Sequence, residues 1–389
     1  ASTRKIFICR MTKRNQAPNR ELRSLNAEEV ESTLAEWGHK SYRVTQILGW
    51  LYKKRACSID EMSDLPQELR DQLAGSFLLK PLELAKEQRS RDGTVKFLWR
   101  LADGELIESV LIPASVGRDG NRSDRHTICV SSQVGCAYGC KFCASGLMGY
   151  KRNLDASEIV DQVLAVERWH LAKGGESAKS QGGLVNNIVM MGMGEPLANY
   201  DNLIRALEIF NSSWGLNIGA RKITVSTSGL APQIRRLAEM PQQYHLAISL
   251  HGATDEVRDK IMPINRKYPL EELISACEAY QQAKGRMIWV EYILIDGVNT
   301  GLDQVEALSG LAKRLQCKVN LIPYNPVDGI ELKRPSDETV GRFRDALHRK
   351  GVRVTVRIEK GTDIDAACGQ LRLKSEKKTA ATQALGQPG

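Results

Sequence analysis

The sequence predicts an α/β protein: a partial barrel of six or seven (β/α) units behind a small helical N-terminal domain and a linking β-hairpin. Three observations predict it. From about residue 126 onward, strand-like runs alternate with helical patterns at roughly 30 residues per unit, the period of successive βαβ units with a parallel sheet. Between residues 26 and 73, apolar side chains recur at helical spacing. Residues 83–113 alternate apolar and polar side chains around Asp-Gly turns.

In order along the chain, residues 1–23 are basic and nearly free of acid, and read as a disordered arm. Residues 24–82 form the helical domain: Val30, Leu34 and Trp37 make one stripe, Val44, Ile47, Leu48 and Leu51 a second, and a third helix starts around Pro66. Residues 83–113 are the hairpin linker, with turns at Asp92-Gly93 and Asp103-Gly104. Residues 114–360 hold the barrel. Its strands are expected at 127–130, 188–191, 223–226, 246–250, 288–293, 319–322 and 352–356. Asp155-Ala-Ser-Glu158 is a capping box for one helix, and Ser336 opens another that ends at Gly351. A loop follows over 361–373, then a tail over 374–389 rich in Ala, Gln and Lys.

Composition narrows the function classes. Hydrophobic residues are 42% of 389, and the 32 glycines bring the apolar share to about 50%, ordinary for a globular chain. No apolar stretch is long enough to span a bilayer. The first twenty residues lack an apolar segment followed by a small-residue cleavage site, so a cytoplasmic protein is expected. Nine cysteines are too sparse for a disulfide scaffold. The net charge of +9 suits a polyanionic partner without demonstrating one.

The informative segment is Cys136-Ala-Tyr-Gly-Cys140-Lys-Phe-Cys143, just after the first barrel strand, where such folds carry their chemistry. Three thiolates can hold three irons of a [4Fe–4S] cluster and leave the fourth open to a ligand. Zinc is the other reading, although structural zinc sites usually come as paired halves and no second half stands nearby. Gly192-Met-Gly194-Glu195 follows a strand. It either lets the backbone approach a ligand whose ammonium Glu195 accepts from, or is an ordinary strand-to-turn connection.

Together with Cys129-Val-Ser-Ser-Gln-Val-Gly-Cys136, Gly192-Met-Gly-Glu195-Pro-Leu, Ser226-Thr-Ser-Gly229, Ser249-Leu-His251, Pro323-Tyr-Asn-Pro326 and Ala366-Ala-Cys-Gly369, the cysteine motif resembles the RlmN/Cfr family of radical S-adenosylmethionine rRNA adenine methyltransferases over about residues 22–373. The resemblance implies a radical SAM partial barrel in which Cys136, Cys140 and Cys143 ligate a [4Fe–4S] cluster. It places Gly194, Glu195, Ser226, Ser249, Leu250, His251 and Asn325 around S-adenosyl-L-methionine, used twice per turnover, as methyl donor and as radical source. It implies that Cys368 accepts a methyl group as a thioether, that the resulting carbon adds to an adenine, that Glu108 removes the ring proton, and that Cys129 resolves the covalent RNA adduct by pairing with Cys368. Without the family, Cys129 and Cys368 read equally as buried apolar positions.

The substrates implied are adenine 2503 of 23S rRNA and adenine 37 of tRNA, both at C2, with a reductant such as a flavodoxin or ferredoxin, and an RNA-binding role for the helical domain. Gly194-Glu-Pro196 and Ser226-Thr-Ser228 favour the RlmN form, whereas Cys143-Ala-Ser leans towards Cfr-like C8 methylation. A radical SAM enzyme acting on a non-RNA substrate remains a further alternative, as does an RNA-binding zinc protein. Basic residues at 4–23, and Arg349, Lys350, Arg353, Arg357 and Lys360, are candidate phosphate contacts, and a solvated helix end explains Arg349 and Lys350 equally well.

Overall fold

The computed structural model describes residues 20–114, 123–174, 183–357, 359–367 and 369–371. Residues 1–19 of the basic arm, the tail from 372 onward and Cys368 lie outside these described residues.

The helical domain comprises α1 (Ala27–Glu36), α2 (Tyr42–Leu48), which runs on as a π-helical turn over Gly49–Lys53, and α3 (Gln67–Ser76). Asn26 starts α1 through a reciprocal box: its side chain accepts from the Glu29 N–H at 2.9 Å and the Glu29 carboxylate accepts from the Asn26 N–H at 2.8 Å. Val30, Leu34, Ile47, Leu48, Leu51, Leu69 and Leu73 form its core. Part of the expected arm is structured. Arg20–Glu21 pairs in parallel with Phe77–Leu78, and both Leu22 and Arg23 are buried. The reason lies across the domain boundary, where Arg23 meets the buried Asp161 at 3.1 Å. Burial alone would raise the Asp161 carboxyl, but Arg23 and Arg168 outweigh it and hold its pKa below the usual value.

A ten-stranded sheet follows. Its strands are β1 (Glu83–Arg89), β2 (Val95–Arg100), β3 (Leu106–Pro113), β4 (His126–Cys129), β5 (Asn187–Met190), β6 (Ile223–Thr227), β7 (His245–Ser249), β8 (Trp289–Leu294), β9 (Lys318–Pro323) and β10 (Arg353–Val356). They neighbour one another in chain order. Neighbours from β4 to β10 pair in parallel, whereas β1 to β4 pair antiparallel. Seven parallel strands in sequence order have the winding of a barrel left open. The stretch expected as a hairpin linker is thus a three-stranded meander of the same sheet, because β3 pairs with β4 (Val110 opposite Cys129) and covers an edge that would otherwise be bare.

The intervening helices are α4 (Ala156–Ala172), α5 (Tyr200–Asn211), α6 (Ala231–Glu239), α7 (Asp255–Ile261), α8 (Leu270–Lys284), α9 (Leu302–Arg314) and α10 (Asp337–Arg349). The Asp155–Glu158 box caps α4, and the Ser336 hydroxyl accepts from the Thr339 N–H to start α10. Because β4 to β10 run parallel, their C-terminal ends share one rim. Among the described residues, no helix is long and apolar enough to cross a membrane.

Candidate active site

The three-cysteine loop is held at that rim by a short antiparallel pair, Gln133–Gly135 with Tyr150–Asn153. Gly135 has a φ of 75°, and a Cβ there would lie 1.8 Å from the Gly149 carbonyl oxygen, so only glycine brings the loop's two stems this close. The Cys136 N–H donates to the same carbonyl at 2.9 Å, and the Lys141 N–H reaches Ile261 O at 2.9 Å, fixing the loop to the end of α7.

Cys136, Cys140 and Cys143 line one cavity with Gly192, Gly194, Glu195, Ser226, Ser249 and His251. Burial, with the neighbouring Cys143 and Glu195 adding to it, pushes the Cys136 thiol up to about 12. Burial and then Cys143 and Cys136 push Cys140 well above its ordinary value. Sulfurs that oppose one another's ionisation need a cationic group to become thiolates together, and an iron–sulfur cluster is such a group. Among the described residues, no three His, Cys, Asp or Glu side chains converge on a single point, so the sulfurs share a cavity without sharing one ion's radius. The donor set fits a [4Fe–4S] cluster with one iron left for another ligand.

The opposite wall is polar and closely built. Gly194 has a φ of 95°, and a Cβ there would sit 2.5 Å from Gln133 Cβ. The Glu195 carboxylate accepts from the Ser228 N–H (2.7 Å), the Ser228 hydroxyl (2.8 Å) and the Leu197 N–H (3.1 Å). The Thr227 hydroxyl acts on the same carboxylate, so Glu195 is held by the backbone and side chains at the end of β6. Burial raises its pKa despite these bonds. His251 sits at a φ of 58°, edge-on to Phe142 at 4.9 Å. Burial and the Arg258 cation push its imidazole down to about 3. Its Nδ1 accepts from the Ile293 N–H at 3.0 Å, so the neutral ring carries its proton on Nε2. Leu250 is placed differently, with its side chain in the core and its N–H on Glu291 O.

A second cavity adjoins the first, sharing Met191, Glu291, Ile322, Arg357 and Leu371. Cys129 and Asn325 line it, with Ala366 and Ala367 from the loop that carries Cys368. Cys129 ends β4, nearly buried between β3 and β5. Glu108, on β3, is buried beside Lys96 at 3.4 Å, and its carbonyl accepts from the Ser131 hydroxyl at 2.5 Å.

Three contributors escaped sequence reasoning. Arg258, wholly buried in α7, donates to Ser228 O (3.0 Å), Ser249 O (3.3 Å) and Leu250 O, tying the ends of β6 and β7 together. Glu291 borders both cavities; one oxygen accepts from Asn320 at 2.9 Å and the other has no hydrogen-bond partner among the described residues, with the Arg357 cation acting on the group. Lys96 joins Glu108 to Asp365, a residue 269 positions along the chain from the lysine itself. A lone Arg, Glu or Lys in a helix or strand carries no spacing signal, and only the fold reveals what it faces. The five basic candidates around β10 do not form one face. Arg349, Lys350 and Arg353 lie at its N-terminal end, with Lys350 paired to Glu306, whereas Arg357 lies about 13 Å further along, at the rim.

These features agree with what the chain is similar to. The model of the radical SAM superfamily matches residues 130–306, which, with a cysteine loop over an open barrel, defines the class as a radical S-adenosylmethionine enzyme. The model described as the ribosomal RNA large subunit methyltransferase N-terminal domain matches residues 20–79. A protein of Opitutus terrae named "Probable dual-specificity RNA methyltransferase RlmN 3" is 54% identical over 90% of this chain and 94% of its own length. The "Dual-specificity RNA methyltransferase RlmN" of Anaeromyxobacter dehalogenans is 46% identical over 95% of this chain and 97% of its own. A crystal structure of a radical SAM methyltransferase from Sphaerobacter thermophilus superposes with a TM-score of 0.82 at 46% identity, covering 91% of this chain and 99% of that one. The chain belongs to the RlmN family of radical SAM RNA methyltransferases.

Proposed function

We propose that this enzyme methylates C2 of adenine 2503 in 23S rRNA and C2 of adenine 37 in tRNA, through a methylated Cys368 and a covalent RNA adduct. The observation that carries the reading is the adjacency of the two cavities: the one bearing Cys136, Cys140 and Cys143 shares Met191, Glu291 and Arg357 with the one bearing Cys129 and Ala366–Ala367. A radical source and a two-cysteine exchange then stand side by side.

Cys136, Cys140 and Cys143 would hold the cluster, with Gly194, Glu195, Ser226, Ser249 and His251 around S-adenosylmethionine and Asn325 on the second cavity's side. Bound there, cluster and cofactor supply reductive cleavage and a radical, which makes methylation possible at an electrophilic amidine carbon where a polar attack would fail. Glu195 offers its buried carboxylate to an ammonium, and the neutral His251 offers an Nε2–H. Cys368 exchanges its thiol proton for a methyl group, one molecule of cofactor per turnover serving as donor and a second as radical source. Glu108 takes the ring proton. The Cys129 thiolate attacks the Cys368 sulfur, so that a disulfide forms as the carbon–sulfur bond breaks, and the released CH2 carbon keeps the electron pair and takes up a proton to become the methyl group. The helical domain at 24–82 is read as an RNA-binding accessory domain, the electron donor as a flavodoxin or ferredoxin, and the compartment as cytoplasmic.

Anaerobic reconstitution, labelled S-adenosylmethionine and an rRNA fragment, followed by nucleoside identification, test the reading. The expected product is 2-methyladenine. Only 8-methyladenine would instead establish the Cfr-like reaction, and unimpaired turnover of a Cys368→Ala variant would point to a different substrate class. Each of Cys136→Ser, Cys140→Ser and Cys143→Ser is expected to lose the brown iron–sulfur absorbance.

A further inference from the structure

The turn between β1 and β2 touches the loop that leads to Cys368 at several points. The Asp92 carboxylate accepts from the Gly361 N–H at 2.9 Å and from the Thr94 N–H at 2.8 Å. The Arg91 N–H donates to Asp363 Oδ2 at 3.3 Å. Gly361 adopts a φ of 68°, and a Cβ on it would lie 2.8 Å from Ala366 Cβ and 3.0 Å from Thr94 Cγ2, so hairpin and loop are packed without slack. Nearby, Lys360 donates to Pro113 O at 2.6 Å, at the end of β3.

Lys96 stands at the centre of this contact. In the β2–β3 register Lys96 faces Val110 and Leu98 faces Glu108, which puts Lys96 and Glu108 on the same face as diagonal neighbours. The Lys96 ammonium lies 3.4 Å from Glu108 Oε1 and donates to Asp365 O at 3.1 Å, with both charged side chains about 5% exposed. A buried lysine keeps its charge only where partners replace its water, and here the partners are the carboxylate and a carbonyl of the loop. From Glu108 the chain of contacts continues: its carbonyl accepts from the Ser131 hydroxyl, which itself accepts from the Met193 N–H at 2.9 Å beside Gly194.

We propose that Lys96 is a positioning residue that locks the Glu108 carboxylate and the 360–366 loop into one unit, so that the β1–β2 hairpin sets the geometry in which the adduct loses its proton. The inference rests on the reading of Glu108 as the base. A pair that only stabilised the core would lose stability in Lys96→Met without trapping RNA on the protein. A positioning lysine also changes turnover, since its removal takes from the Glu108 carboxylate and the Asp365 carbonyl the cation that they share.

The test uses anaerobically reconstituted holoenzyme with an RNA fragment bearing the target adenine, and compares Lys96→Met, Lys96→Arg and Glu108→Gln with the parent. Turnover, KM for RNA and the fraction of RNA covalently trapped on the protein are read together. Lys96→Met is expected to lower kcat at least tenfold with KM within threefold, and to trap RNA as Glu108→Gln does, while Lys96→Arg recovers most of the turnover. Parent-like kcat in Lys96→Met, or equal loss in Met and Arg variants without trapped RNA, overturns the proposal. Should Lys96→Met fail to fold, Asp92→Ala frees the Gly361 N–H without touching Glu108: trapped RNA above the parent level supports the proposal, and parent-like turnover overturns it. Glu108→Gln with parent turnover overturns the base assignment, whereas a defective Glu108→Gln beside a parent-like Lys96→Met overturns only the role of Lys96.

Discussion

Gly194→Ala isolates what the close approach of the Gly192–Glu195 loop contributes to cofactor binding. With φ at 95°, an alanine there is strained wherever it points, by about 1–3 kcal/mol. Its Cβ would also meet Gln133 Cβ at 2.5 Å, Cγ at 2.7 Å and the backbone nitrogen at 2.8 Å. None of those three atoms is the far end of a flexible side chain, and relieving such an overlap costs about 1–3 kcal/mol more. Gln133 cannot retreat freely, because its Oε1 accepts from the Glu195 N–H at 2.9 Å and its amide donates to Asn153 at 2.8 Å. The loop must therefore move, and if about 2 kcal/mol of the total falls on the bound geometry, affinity for S-adenosylmethionine drops roughly thirtyfold. Equilibrium dialysis of the reconstituted enzyme reads this directly. Gly297→Ala is the control: its φ is 68° but nothing lies within 4 Å of the added Cβ, so it should cost stability alone and leave the affinity unchanged. Binding by Gly194→Ala within threefold of the parent would refute the close-approach argument.

Two further outcomes follow from the same structure. The His251 imidazole has a pKa near 3 in the fold against an ordinary 6.5, so below pH 6.5 the unfolded chain takes up a proton that the native one refuses. Its contribution is therefore whole above pH 6.5 and is lost as pH falls towards 3, by roughly 5 kcal/mol in all. Urea titrations should show a shallower acid loss in His251→Gln, and identical slopes would contradict a buried neutral imidazole. Arg23→Met breaks a buried ion pair and leaves Asp161 with Arg168 as its remaining cation, so thermal or chemical melts should show a loss of about 3–5 kcal/mol. An unchanged melt would mean that the helical domain is not fastened to α4 through Arg23.

Reading order and type of elements from the chain works here because the signals are local. The strand runs at 188–191 and 319–322 have the period of buried strands, the Asp155–Glu158 box announces α4, and Ser336 announces α10. The cysteine loop was legible for the same reason, since its three sulfurs lie within eight consecutive residues. What failed to register was partnership between distant segments. Residues 83–113 read as a hairpin linker outside the barrel sheet, because nothing local says that β3 will pair with β4. Arg23 read as part of a loose arm, because its partner Asp161 lies on another domain.

Composition, spacing and motif by themselves determined an open α/β barrel carrying three cysteines at its rim, because each of those properties is written within a few turns of helix or strand. Tertiary structure alone decided that Arg258 ties two strand ends, that Glu291 borders both cavities, and that Lys96 sits between Glu108 and Asp365. A charge buried in a fold acquires its meaning from the groups that replace its water, and those arrive from segments that no local pattern connects.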